Sequence, residues 1–167
     1  MNALLNKVLW SPWRHEYIKS FSEGIIHECL FCRLTQLSDD AAYVLYRGSR
    51  AYAVLNAYPY NCGHLMIAPY RHVASVDELD DEELIEVAKL VKLCVSILKK
   101  ALKPDGVNIG VNIGKAAGAG VEGHIHVHVV PRWIGDSNFM PVTSGYKSLP
   151  MALVEMYELL KEEFKKL

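Results

Sequence analysis

The sequence predicts a single α+β domain: an antiparallel β-sheet of about five strands, one long central helix and a C-terminal helix. Short segments rich in β-formers recur at 43–47, 51–56, 64–68, 107–113 and 124–130, joined mostly by brief turns. Between the third and fourth lies one stretch, from about Asp77 to Lys103, whose apolar residues repeat at helical spacing. At 167 residues, 51% apolar and 22% charged, the chain has the composition of a soluble domain and enough length for one core.

In chain order, residues 1–40 form an aromatic-rich segment expected to be irregular, with Trp10, Trp13 and Tyr17, a Cys29-Leu-Phe-Cys32 pair and a polar turn at Ser38-Asp39-Asp40. A core spanning 41–140 follows. Tyr43–Arg47 and Ala51–Asn56, joined by Gly48-Ser49-Arg50, read as a hairpin. The turn Tyr58 to Gly63 leads into a third strand, His64–Ala68, stopped by Pro69. In the long helix the stripe is Leu84, Val87, Val91, Cys94 or Val95, Leu98 and Leu102. Asp80 with Glu83 reads as a cap and its reciprocal partner, and Pro104-Asp105-Gly106 ends the helix. Val107–Ile113 is a fourth strand and His124–Val130 a fifth. Residues 149–167 close the chain as a helix, with Pro150 in its first turn and Leu153, Met156, Tyr157, Leu160 and Phe164 on one side.

A formal net charge of −1 gives no basic surface for duplex DNA or an anionic membrane. No apolar run approaches the ~20 residues of a membrane span, and residues 1–7 lack a signal-peptide core. The expectation is therefore a cytoplasmic protein with neither nucleic acid nor membrane as partner. No organic cofactor is expected either. Gly118-Ala-Gly120-Val-Glu-Gly123 matches a dinucleotide-loop spacing but precedes a strand rather than a helix, and Gly114-Lys115 lacks the Ser or Thr of a P-loop.

The chemistry concentrates in His124-Ile-His126-Val-His128-Val-Val130. Period-2 alternation puts the three imidazoles on one face and Ile125, Val127 and Val129 on the other. Such a row can chelate zinc, or the central imidazole can attack an electrophile such as phosphorus. The preceding glycines allow backbone N–H groups to approach an anion, and they equally suit a flexible hairpin loop. Cys29 and Cys32 have a metal-type or redox-type spacing. Cys62 and Cys94 lie among apolar residues and read as small buried side chains.

The segment His124–Val130 resembles the signature of the histidine-triad (HIT) superfamily of nucleotide hydrolases and transferases. The likeness runs from about Trp10 to Met140. Val54-Leu55-Asn56 through Gly63-His64 to Pro69 is similar to the family's first nucleotide-binding strand pair. Pro131-Arg132-Trp133 through Asn138-Phe139 is similar to the fragile-histidine-triad branch, notably its diadenosine tetraphosphate phosphorylase-like members.

The resemblance implies a HIT-like fold and a nucleotide substrate, with His126 as nucleophile. His128 would assist at the phosphate and leaving group, and His124 completes the triad. Asn56 would bind the ribose hydroxyls, His64 would line the nucleotide pocket, and Asn112 would contact phosphate. Backbone amides of Gly120 or Val121 would replace the polar side chain that many relatives place there, with Glu122 turned away. Ala53, Leu55 and Ile67 could sandwich the base or simply pack the core. Arg14, Lys115, Arg132 and Lys147 are possible phosphate contacts. Cys29, Cys32, His72 and His124 match the ligands of zinc-bearing relatives and imply one closed structural zinc. Relatives of this kind are mostly homodimers that join their sheets.

Three functions follow as expectations. The first is an enzyme cleaving dinucleoside polyphosphates or related conjugates through a nucleotidyl-His126 intermediate, with water or inorganic phosphate as acceptor. The others are a metal-dependent hydrolase using the triad as zinc ligands, and a non-catalytic nucleotide-binding protein.

Overall fold

The computed structural model describes residues 29–139, 143 and 148–167. Five strands make one antiparallel sheet: β1 (Val44–Arg47), β2 (Ala51–Leu55), β3 (Leu65–Pro69), β4 (Gly106–Val111) and β5 (Val127–Arg132), in the order β1-β2-β3-β5-β4. Four α-helices accompany them among the described residues: α1 (Leu30–Gln36), α2 (Asp39–Ala42), α3 (Asp81–Leu102) and α4 (Leu153–Phe164). This is the α+β architecture expected, with several boundaries moved.

β2 and β3 read as unbroken apolar runs because both of their faces are covered. On one face Ala51, Ala53, Leu55, Leu65, Ile67 and Val129 pack with Val87, Leu90, Cys94, Ile97 and Leu98 of α3 and with Met156, Tyr157, Leu160 and Phe164 of α4. On the other, Tyr52, Val54, Met66 and Ala68 pack with Phe31 of α1. Met66 stands opposite His128, so the triad belongs to this second face.

The fifth strand starts at Val127 rather than His124, and the fourth stops at Val111 rather than Ile113. Pro69 causes both shifts. Two residues beyond the Ile67–Val127 pair, the ladder meets a residue with no N–H to give. Ile125 N–H donates instead to the Val73 carbonyl at 2.7 Å, and β4, last paired through Val111–Val127, has nothing further to bond.

α3 begins at Asp81, after a short 3-10 turn at Val76–Glu78, rather than at Asp77. The expected cap is present. Glu83 N–H donates to Asp80 Oδ1 at 2.7 Å, and Asp80 N–H to Glu83 Oε2 at 3.0 Å. Glu83 also takes two hydrogen bonds from Arg71. It thereby occupies the inward position of the first turn, which leaves Leu84 exposed and off the predicted stripe.

α4 starts at Leu153, with Ala152 extended at its N-cap, so Pro150 lies outside it. The predicted stripe holds: Met156, Tyr157, Leu160 and Phe164 are buried. The N-terminal segment is not wholly irregular. Cys29 caps α1, which buries Phe31 with Leu34 packed alongside. Cys94 is buried as expected, whereas Cys62 is only half-buried. Gly63, at φ +74°, sits where a Cβ would come within 2.6 Å of Leu102, so the turn into β3 approaches α3 as only glycine allows. Trp10, Trp13, Tyr17, Arg14 and Lys147 lie outside the described residues.

Candidate active site

β5 and the extended residues before it carry the triad, and all three imidazoles are buried. They do not converge on one point. The His124 ring turns toward α1, where Nδ1 lies 3.3 Å from Cys29 Sγ and 3.6 Å from Cys32 Sγ. Cys32 Sγ is also 3.4 Å from His72 Nδ1. The four ligand atoms of Cys29, Cys32, His72 and His124 all lie within 4.8 Å of one another. A tetrahedral zinc with Zn–S of about 2.3 Å and Zn–N of about 2.0 Å separates an S and an N ligand by roughly 3.6 Å, so the donor set fits that ion. The Nε2–H of His124 donates to the Pro69 carbonyl at 2.9 Å, leaving the Nδ1 lone pair for the thiol side. Cys29-Leu-Phe-Cys32 does open a helix, as redox pairs do, but without the βαβ unit and with two imidazoles beside it.

His126 is held differently. Its Nδ1–H donates to the His124 carbonyl oxygen at 2.8 Å, which leaves Nε2 with a lone pair. Its ring centroid is 4.5 Å from that of Phe31 and 4.8 Å from that of His128. Burial keeps the His126 imidazole below its ordinary pKa, opposed by the bond to the His124 carbonyl. For His128, burial and then the neighbouring His126 push the pKa down to about 4. Both shifts favour the neutral rings of His126 and His128, the form in which a ring nitrogen keeps a lone pair.

A cleft of about 150 Å³ opens over these rings. Of the residues expected there, Asn56, Gly120, Val121, His126 and His128 line it. His64 does not. It is fully buried behind His128, with its Nε2 2.9 Å from His128 Nδ1. Asn56 accepts from Tyr58 N–H at 2.9 Å, so it is a turn residue as well as a cleft residue. Asn112 sits one position past β4, half-buried, and is not among the residues lining the cleft. Glu122 is exposed, as expected.

Ala53, Leu55 and Ile67 lie on the helix face and cannot touch a base; core packing is their role. The apolar wall of the cleft is made instead by Leu30, Phe31 and Met66, with Tyr58 and Tyr60 at its rim. Two signals pointed to these residues. Met66 has the opposite parity to Ile67 in β3, and Phe31 is enclosed by the two cysteines. Arg132 is engaged by Asp136 and Asn108, and Lys115 is exposed outside the cleft. A larger apolar cavity of about 360 Å³ lies under Leu55, Pro59, Met151 and Met156, but it holds no histidine and no charge.

The HIT domain family model matches residues 38–133. An AP-4-A phosphorylase of Mycobacterium tuberculosis is 39% identical over 162 residues, covering 93% of this chain and 83% of that protein. A Zn-bound histidine triad family protein from Mycobacterium smegmatis superposes with a TM-score of 0.67 at 26% identity, covering 83% of this chain and 94% of the other. A hypothetical histidine triad nucleotide-binding protein from Sulfolobus tokodaii gives a TM-score of 0.65 at 34% identity, over 83% and 90% of the two chains.

Proposed function

The chain belongs to the HIT domain family, and from that premise we propose that it is a nucleotidyl-transferring enzyme that cleaves dinucleoside polyphosphates. The observation that carries the reading is the bond from His126 Nδ1–H to the His124 carbonyl, which leaves the Nε2 lone pair for the substrate. Nε2 attacks the α-phosphorus, an N–P bond forms, and the P–O bond to the remaining polyphosphate breaks, that group leaving with the electron pair. An acceptor oxygen then takes the nucleotidyl group from His126. His128 and the backbone amides of Gly120 and Val121 face the phosphates, Asn56 the ribose, and Leu30, Phe31 and Met66 the base.

Inorganic phosphate is the favoured acceptor, since the M. tuberculosis relative is a phosphorylase and matches over 93% of the chain. Cys29, Cys32, His72 and His124 would hold one zinc. With four protein ligands it has no open position, so its contribution is to fasten α1 to the triad. This geometry disfavours the triad as a catalytic zinc site. His124 faces the thiols, while His126 and His128 spend their Nδ1 atoms on the His124 carbonyl and on His64.

The open β4 edge, with Ile109 and Val111 exposed and Ile113 just beyond it, supports a homodimer. Thiols near a metal-type cluster suit a reducing cytoplasm.

The test is incubation with diadenosine tetraphosphate, with and without inorganic phosphate. ADP plus ATP formed only with phosphate supports a phosphorylase. ATP plus AMP without phosphate makes it a hydrolase. Binding without turnover would leave a nucleotide-binding protein.

A further inference from the structure

His64 makes no contact with the cleft, yet its hydrogen bonds are fixed by two backbone amides whose donor character is not open to choice. Tyr58 N–H donates to Asn56 Oδ1 at 2.9 Å. The other end of that amide, Nδ2, therefore donates to His64 Nδ1 at 3.2 Å. Tyr60 N–H donates to the same Nδ1 at 3.1 Å. With two donors aimed at it, Nδ1 carries the lone pair, and the neutral ring has its proton on Nε2. That Nε2–H meets His128 Nδ1 at 2.9 Å, so His128 accepts there and keeps its own proton on Nε2, the end turned toward the cleft.

We propose that His64 is a positioning residue: it transmits the donor sense of the Tyr58 and Tyr60 amides to His128 and locks that ring as an Nε2–H donor to the substrate phosphate. The proposal rests on the nucleotidyl-transfer reading and adds to it a division of labour. His126 and His128, with ring centroids 4.8 Å apart, then present opposite polarities at the same atom. His126 offers a lone pair to phosphorus. His128 offers an N–H to a non-bridging oxygen as negative charge gathers there. The other His128 tautomer would set a second lone pair against an anionic phosphate. Burial favours the neutral rings this scheme needs, pushing His64 down to about 3, with the charges of His128 and His126 adding to the effect. Tyr60 roofs the pair, its ring centroid 4.6 Å from His64 and 5.6 Å from His128.

The test combines tautomer spectroscopy with kinetics on the full-length, metal-loaded protein. Long-range correlation spectra of isotope-labelled histidine nitrogens should show a bare Nδ1 and a protonated Nε2 for both His64 and His128, and the reverse for His126. His64→Leu removes the donor. It should lower kcat on diadenosine tetraphosphate by on the order of 10²-fold with KM within about threefold, and His128 should lose its single tautomer. His64→Gln, whose amide can still donate to His128, should recover at least about tenfold of that loss and restore the tautomer. A protonated Nδ1 on His128 in the wild-type spectrum overturns the proposal, even if the Leu variant fails to fold. So does a folded His64→Leu protein with unchanged kcat and tautomer. If His126→Ala retains full turnover, the nucleotidyl reading fails instead, while the wild-type tautomers still report on His64.

Discussion

His126 Nδ1–H donates to the carbonyl oxygen of His124, 2.8 Å away and two residues back along the same extended stretch. The residue that turns its side chain toward the cysteines thus aims the neighbouring ring with its backbone. The cysteine–histidine cluster and the proposed nucleophile share one short segment, and the consequences can be measured separately.

In the proposed reaction the His126 lone pair forms the first bond, whereas His128 contributes a hydrogen bond. His126→Ala should therefore lower kcat by about 10⁴-fold or more, and His128→Gln, which keeps an N–H donor, by about 10²-fold. Steady-state turnover of diadenosine tetraphosphate checks both. Equal losses would place the two rings in the same role.

Stability should fall on mild acidification. His64 and His128 are held in the fold at about 3 and about 4, below the value near 6.5 of an unfolded histidine. Between about pH 6.5 and those lower values the unfolded chain binds protons that the native chain does not, so stability is lost as pH falls. Each such histidine contributes a slope of about 1.4 kcal/mol per pH unit. Urea midpoints between about pH 7 and pH 5 should fall less steeply for His64→Gln than for wild type. Parallel slopes would contradict the neutral burial of His64.

Metal removal should act on the nucleotide site through α1. Cys29 and Cys32 bracket Leu30 and Phe31, which wall the cleft. The first turn of the helix is also tied by Tyr52 Oη–H to the Phe31 carbonyl at 2.8 Å, and its far end by Arg47 to the Thr35 and Leu37 carbonyls. Chelation should release one zinc per chain, lower the Tm and weaken AMP binding by about tenfold, which is about 1.4 kcal/mol. Metal analysis and calorimetry read this directly. Unchanged AMP affinity after full metal loss would show that the other two ties suffice.

Away from the site, Arg71 serves the almost fully buried carboxylate of Glu83 through bonds of 2.9 and 2.6 Å. Arg71→Ala should lower the urea midpoint, with the capping bonds between Asp80 and Glu83 left in place. A urea midpoint unchanged from wild type would mean that solvent replaces the guanidinium.

The five strands, the long helix and the C-terminal helix were readable because β-former runs, the Asp80/Glu83 cap and the Met156-to-Phe164 stripe are local signals, whereas α1 and α2 fell in a segment expected to be irregular. The boundaries were less so. Pro69 ends a ladder shared with a segment 56 residues away, and Glu83 takes its place on α3 because of Arg71 in the connection before the helix. At the site, the histidine row was legible from its period-2 spacing and Asn56 from the resemblance to the HIT family, while the burial of His64 depends on the β3–β5 pairing. Phe31 was marked only by its place between Cys29 and Cys32. Its place over His126 follows from the cysteine–histidine cluster, a contact between residues 95 positions apart. Whether Ala53, Leu55 and Ile67 sandwich a base or pack the core was open in the sequence, because a strand covered on both sides shows no alternation.

The most direct measurement is mass spectrometry of protein quenched during turnover of diadenosine tetraphosphate without acceptor, followed by peptide mapping. A single acid-labile adenylyl group on His126, absent from His126→Ala and discharged as ADP when inorganic phosphate is added, is the expected result. Turnover with no adduct, or an adduct on another residue, would contradict His126 as the nucleophile.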